Sequence, residues 1–211
     1  MAGSSRARVR VKFCGITRAQ DALHAAQLGA DAIGLIFYPP SPRAVGIARA
    51  QELMSVIPAM LTTVGVFVNP QPDELAALLE QVPLDLVQFH GDESPALCRR
   101  SPRPWMKAVS MREGVDVRAA ATRYAGARGL LLDTFRADRK GGTGQTFDWQ
   151  LIPDDLGVPI VLAGGLDASN VAAAIRAVAP HAVDANGGVE SAPGIKDHTK
   201  MEAFMQEIQG G

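Results

Sequence analysis

Eight times along the chain, a short apolar run is followed by an Ala-rich amphipathic run. The apolar runs are 9–14, 32–37, 62–68, 85–89, 105–109, 129–133, 159–163 and 182–185, each rich in Val, Ile, Leu or Phe and bounded by Gly, Pro or Asp. These are strand signals. The helical stretches are 18–28, 47–57, 72–81, 94–100, 114–125, a short turn at 148–151, 168–178 and 197–208. In 72–81, Leu75, Leu78 and Leu79 with Val82 recur at the spacing of one helical face, and Pro72-Asp73 opens the helix. Parallel strands need a crossover of about a dozen residues or more, usually a helix, so strict alternation predicts a parallel sheet buried on both faces. Eight units in 211 residues, about 26 each, with no second composition type, predict an α/β chain closed into one small (β/α)8 barrel. The barrel domain is expected over 8–211, with 1–7 a flexible N-terminal extension. The competing architecture, an open doubly wound sheet, would place G-x-G-x-x-G in its first strand–helix turn. Here Cys14–Arg18 holds a single glycine.

Charge and spacing exclude several functions. With 21 basic and 22 acidic residues the net charge is -1, without the basic excess that nucleic acid or an anionic membrane attracts. No apolar run approaches the roughly 20 residues of a membrane span. Met1–Arg10 lacks the apolar core of a signal peptide. Two cysteines, Cys14 and Cys98, are too few for a disulfide framework, so a cytoplasmic protein is expected. His24, His181 and His198 have no metal-ligand spacing, and no metal site is predicted. The loop 141–146 lacks the lysine of a nucleotide-binding phosphate loop.

In such barrels the chemistry lies at the C-terminal ends of the strands. The first strand ends at Cys14, the fourth at His90 and the sixth at Asp133. Alternation puts Val9, Val11 and Phe13 toward the helices and Arg10, Lys12 and Cys14 toward the barrel axis. Leu131 shares a face with Asp133, and Gln88 with His90, so Cys14, His90 and Asp133 are expected to converge over one mouth. A thiol near a helix N-terminus or a cation is expected to ionise more readily and serve as a base. Partial desolvation of Asp133 would let it hold a proton, completing an acid/base pair. Arg43, in a loop stiffened by Pro39, Pro40 and Pro42, is a candidate carboxylate fork, and His90 a candidate ligand contact. Gly164-Gly165 follows the seventh strand and Gly187-Gly188 the eighth, where barrels commonly bind phosphate on backbone N–H groups. Gly142, Thr143 and Gly144 form a third such loop. With no lysine or arginine evident in these loops, backbone groups are expected to carry phosphate binding.

These residues fall into longer motifs. VKFCGIT at 11–17, GLIFYPPSPR at 34–43, VGVFVN at 64–69 and VQFHGDE at 87–93 are followed by LLDT at 131–134, GGTGQTFDW at 141–149, LAGGL at 162–166, VD at 183–184 and GVE at 188–190. Their order and joint occurrence resemble the phosphoribosylanthranilate isomerases. The resemblance implies an isomerase of tryptophan biosynthesis that converts N-(5-phosphoribosyl)anthranilate to 1-(2-carboxyphenylamino)-1-deoxyribulose 5-phosphate by Amadori rearrangement. It implies Asp133 as the acid at the ring oxygen, Cys14 as the base at C2 and Arg43 on the anthranilate carboxylate. Phosphate is implied on Gly142, Thr143, Gly144, Gly164, Gly165, Asn186, Gly187 and Gly188. No cofactor is implied, because the substrate nitrogen is the electron sink. The implied ligand is a small phosphosugar, and association with other enzymes of the pathway is left open. The family usually has two serines where this chain has Asn186 and Gly187.

Three other readings compete. One is another sugar-phosphate barrel, such as an epimerase or the related isomerase of histidine biosynthesis, the latter typically using two aspartates, one of them where Cys14 stands. A catalytically silent phosphate binder would lack the acid/base pair. An aldolase would form a Schiff base on Lys12.

Overall fold

The computed structural model describes residues 8–134 and 147–210. Chain order is β1 (Arg10–Phe13), α1 (Ala19–Gln27), β2 (Ala32–Ile36), α2 (Ile47–Met54), β3 (Thr62–Phe67), α3 (Pro72–Gln81), β4 (Leu86–Phe89), α4 (Pro95–Cys98), β5 (Trp105–Met111), α5 (Val117–Arg123) and β6 (Leu130–Thr134). There follow a 3-10 turn at Trp149–Leu151, β7 (Ile160–Leu162), α6 (Val171–Val178) and β8 (Ala182–Ala185). A second 3-10 turn at Gly187–Val189, the short hairpin β9 (Glu190–Ala192) and β10 (Ile195–Lys196), and α7 (His198–Gln209) complete the order. The strands β1 to β8 form a closed barrel. Closure is parallel, with Arg10 opposite Ala182 and Lys12 opposite Asp184.

Alternation along each strand builds two cores. Val11, Phe13, Val87, Phe89, Leu130 and Leu132 point outward and are buried against helical residues such as Leu79, Met201 and Phe204. Burying a side chain of this size is worth about 1.5–3 kcal/mol, so this layer dominates the stability. The residues of opposite parity fill the barrel: Met106, Ala108, Leu131, Val161, Ala163 and Ala182 pack together, and Cys14, Ile36 and Val66 form a separate cluster.

Helix starts follow local chemistry. Asp116 caps α5 by accepting from Ala119 N at 3.0 Å, and Gly114 turns with φ +81°, so the helix begins three residues later than the expected 114. The β9–β10 hairpin was not expected. Its strands are three and two residues long, too short for an alternation pattern, and its only sequence mark is Pro193-Gly194, with Gly194 at φ +79°.

One outward-facing ion pair fixes the loops after β3 and β4. Glu93 Oε2 lies 3.2 Å from Lys107 Nζ, both side chains being buried. Glu93 also accepts from Asn69 N at 2.8 Å and Gly91 N at 3.0 Å, while Lys107 donates to Gly91 O at 2.6 Å. These bonds clamp the backbone on either side of His90.

Candidate active site

Cys14 stands one residue beyond β1 and is buried at the barrel axis, as parity requires. Its surroundings require Gly34. A Cβ there would lie 2.7 Å from Cys14 Sγ and 3.2 Å from Lys12 Nζ. Lys12 Nζ donates to Asp184 Oδ2 at 2.9 Å, both residues being buried. Burial alone would lower the Lys12 ammonium, but Asp184 and the thiol more than offset this and hold it above the usual lysine range. A Schiff-base nucleophile must be a neutral amine, so this environment opposes the aldolase reading.

The expectation for the thiol needs correction. Burial pushes Cys14 above the ordinary thiol range, and Asp184 adds to the push; Lys12 and Lys196 pull the other way without reversing it. Desolvation is the larger effect at this buried site and outweighs the nearby cations.

Across the mouth, Asp133 Oδ2 lies 3.2 Å from His90 Nε2, and each side chain is about 30% exposed. His90 Nδ1 contacts the Gln88 amide at 2.8 Å. His90 is thus placed against Asp133 and also reaches the open rim. Asp184 joins the two halves. Burial raises its carboxyl against the pull of Lys12, and it also lies within electrostatic reach of Asp133 and His90.

Arg43, between β2 and α2, forks onto a carboxylate of the chain itself. Its Nε donates to Glu190 Oε1 at 2.9 Å and its Nη2 to Glu190 Oε2 at 2.6 Å. Glu190 therefore takes the Nε–Nη2 edge of the guanidinium and leaves the Nη1 edge to other partners. Behind it, buried Lys196 Nζ bonds Glu190 Oε1 at 3.1 Å, Asn186 O at 3.0 Å and Asn186 Oδ1 at 3.2 Å. Burial raises Glu190, but Arg43 and Lys196 outweigh it and hold the carboxyl below its ordinary value. Burial lowers Lys196 despite Glu190. The expectation that no cation adjoins the glycine turns is therefore overturned. Lys196 is bonded to Asn186, and Arg43 Nη2 would be 3.6 Å from a Cβ on Gly187.

The turns after β7 and β8 meet. A Cβ on Gly188 would collide with the Leu166 carbonyl oxygen and lie 3.0 Å from Asp167 Cβ. Gly164 has φ +85°, and a Cβ on it would collide with Thr134 and come within 2.8 Å of Asp133 Oδ1. Gly165 follows at φ +70°. Gly142, Thr143 and Gly144 lie outside the described residues. A separate cavity of about 430 Å³ opens beside Arg8, Arg10 and His181, at the other end of the barrel from the acid–base groups.

Gln88, Asp184, Glu190 and Lys196 were not singled out as site residues from sequence. One signal was present: Lys12 faces the axis, and a buried lysine requires a carboxylate. Asp184, with the same parity in the strand that closes the barrel, supplies it.

A thiol, a carboxyl and an imidazole gathered at the mouth of a closed β/α barrel, next to glycine turns backed by cations, define an acid–base enzyme of the (β/α)8 class. Comparison with known proteins narrows the class. The family model for N-(5'-phosphoribosyl)anthranilate (PRA) isomerase matches residues 11–207. N-(5'-phosphoribosyl)anthranilate isomerase of Pseudomonas putida (strain W619) is 58% identical over 201 residues, 95% of this chain and 98% of that protein. The enzyme of Stutzerimonas stutzeri is 55% identical, covering 95% and 97%. The crystal structure of phosphoribosyl anthranilate isomerase from Thermotoga maritima superposes with a TM-score of 0.89 at 40% identity, covering 96% of this chain and all of that one. Another, solved with reduced 1-(o-carboxyphenylamino)-1-deoxyribulose 5-phosphate, gives 0.83 at 38% identity with coverage of 96% and 100%. The chain belongs to the N-(5'-phosphoribosyl)anthranilate isomerase family.

Proposed function

We propose that the chain carries out its family's reaction, the Amadori isomerisation of N-(5-phosphoribosyl)anthranilate in tryptophan biosynthesis, with Asp133 as acid and Cys14 as base. The observation that carries the assignment is the presence of both groups at one barrel mouth, linked electrostatically through Asp184. Asp133 gives a proton to the ribose ring oxygen as the anthranilate nitrogen expels it, opening the ring to a Schiff base. Cys14 removes the C2 proton, the electrons pass to the imine nitrogen, and the enolamine then tautomerises to the ketone. The thiol is mostly neutral at rest; Lys12 and Lys196 stabilise the thiolate that does the work.

Arg43 holds the anthranilate carboxylate on its Nη1 edge while Glu190 fixes the plane of the fork. Phosphate is assigned to the turns at Gly164, Gly165 and Asn186–Gly188, with Lys196 supplying charge beneath Asn186, and to Gly142, Thr143 and Gly144. The reading implies a cytoplasmic enzyme. Among the described residues no helix is long and apolar enough to cross a membrane. The test is direct: purified protein is added to the fluorescent substrate. Loss of anthranilate fluorescence is expected, and persistent fluorescence would refute the assignment.

A further inference from the structure

Asn186 stands one residue past β8, half-buried, in place of the serine usual in the family. Buried Lys196 approaches it twice, with Nζ 3.0 Å from the backbone carbonyl and 3.2 Å from the side-chain amide. The oxygen and nitrogen of an amide exchange places by a half-turn, so its orientation is settled by the bonds it makes. Here the partner leaves no choice. An ammonium group can only donate, so the amide atom that Lys196 touches is the oxygen, Oδ1. The nitrogen, Nδ2, must then point away from Lys196. Its two hydrogens meet no acceptor among the described residues.

Arg43 lies against the same spot. A Cβ on Gly15, the residue after Cys14, would come within 2.7 Å of Asn186 Oδ1 and 2.8 Å of Arg43 Cδ, so the two side chains close over one point of the mouth. Arg43 gives its Nε and Nη2 to Glu190 and keeps Nη1. Charge points the same way. Arg43 and Lys196 share the single carboxylate of Glu190, which leaves one positive charge over beside the amide. We propose that Asn186 is a further substrate-binding residue, whose Nδ2–H donates to one oxygen of the anthranilate carboxylate while Arg43 Nη1–H donates to the other. The proposal rests on the assignment of that carboxylate to Arg43.

The chemistry of the donors selects the ligand group. Nδ2 only donates, so its partner is an acceptor. The two oxygens of a carboxylate diverge and accept from separate neighbouring donors, and its single charge matches the one left over. The 5-phosphate carries more charge and is assigned to the backbone N–H groups of the glycine turns. A serine at this position would hold its hydroxyl closer to the backbone and free to rotate. The asparagine carries its donor farther out, and the buried ammonium of Lys196 keeps that donor aimed.

The test is calorimetric binding of two ligands to wild type, Asn186→Ala and Asn186→Asp. One ligand is reduced 1-(o-carboxyphenylamino)-1-deoxyribulose 5-phosphate, and the other is its phenylamino counterpart without the carboxylate. Wild type should bind the first more tightly. Asn186→Ala removes the donor and should weaken the first at least about tenfold, as for a hydrogen bond to a charged group, and the second less than about twofold. Asn186→Asp keeps an oxygen for Lys196 and turns a negative charge toward the carboxylate, so it should weaken the first still further. If Asn186→Ala does not fold, the isosteric aspartate decides alone. Equal weakening of both ligands would place Nδ2 on the phosphate or the ribose, and no weakening of either would leave it without a substrate contact; each result overturns the proposal. Wild type binding both ligands equally would sink the carboxylate assignment to Arg43 as well. A wild-type preference for the carboxylate that survives both Asn186 variants and is lost in Arg43→Lys would sink this proposal alone.

Discussion

Glu190→Gln separates the two duties assigned to the Arg43–Glu190–Lys196 cluster. The glutamine keeps an oxygen for Arg43 but removes the charge that both cations share. Glu190 and Lys196 are buried, whereas the Arg43 side chain is 22% exposed. Removing one partner of a fully buried ion pair costs about 3–5 kcal/mol, and a hydrogen bond to a charged group is worth about 1.5–3. Arg43 can rehydrate and the amide oxygen still accepts, so the lower range applies, and about 2–3 kcal/mol of stability should be lost at neutral pH. The pH dependence is diagnostic. The folded-state carboxyl is held below its ordinary value, so its contribution is fully present above about pH 4.3 and is lost as pH falls through the folded-state value. The gap between wild type and variant should therefore be widest at neutral pH and close under acid. Urea unfolding at several pH values measures it, and KM should rise severalfold as the fork loses its orientation. A variant within about 0.5 kcal/mol of wild type at neutral pH, with unchanged KM, would refute the claim that Glu190 orients Arg43.

Asp133→Asn is isosteric but cannot donate a carboxylic proton, so kcat should fall about 10²–10⁴-fold and the basic limb of the kcat/KM profile should vanish; a limb that persists unchanged rules Asp133 out as the titrating acid. Arg43→Lys keeps charge but loses the planar fork, and KM should rise more than kcat falls; an unchanged KM would place Arg43 away from the substrate carboxylate. Gly187→Ser has open space, its nearest neighbours being 3.6 Å away or more, whereas Gly188→Val drives a side chain into the Leu166 carbonyl. The inhibition constant of a phosphorylated product analogue should hold for the first and weaken at least about tenfold for the second, consistent with overpacking costs of about 1–3 kcal/mol; equal weakening would contradict the phosphate assignment to these turns.

The strands were legible because parallel barrel strands are buried on both faces and read as unbroken apolar runs closed by Gly, Pro or Asp. Leu130–Leu132 ending in Asp133 is the plainest case. Cys14, His90 and Asp133 were legible for the same reason, since strand ends in this fold are the mouth. Their partners were not. Lys12 meets Asp184 across 172 residues and Arg43 meets Glu190 across 147. Barrel closure and a hairpin too short to announce itself set those distances, and no local spacing encodes them. The direction of the Cys14 shift was misjudged for a related reason. Nearby cations can be guessed from sequence, but the depth of burial that outweighs them is a property of the packed barrel.

The central claim is that the thiolate of Cys14 removes the C2 proton. Cys14→Ser tests it most directly, because it leaves the shape of the site almost unchanged and replaces a thiol by a hydroxyl that does not ionise in the working range. The measurement is kcat and KM on N-(5-phosphoribosyl)anthranilate by fluorescence loss, with folding checked by urea unfolding. Losing a general base costs about 10²–10⁴ in rate, or roughly 2.7–5.4 kcal/mol in the barrier. That loss is expected in kcat, with KM within about twofold. A folded Cys14→Ser protein turning over within a few-fold of wild type would contradict it.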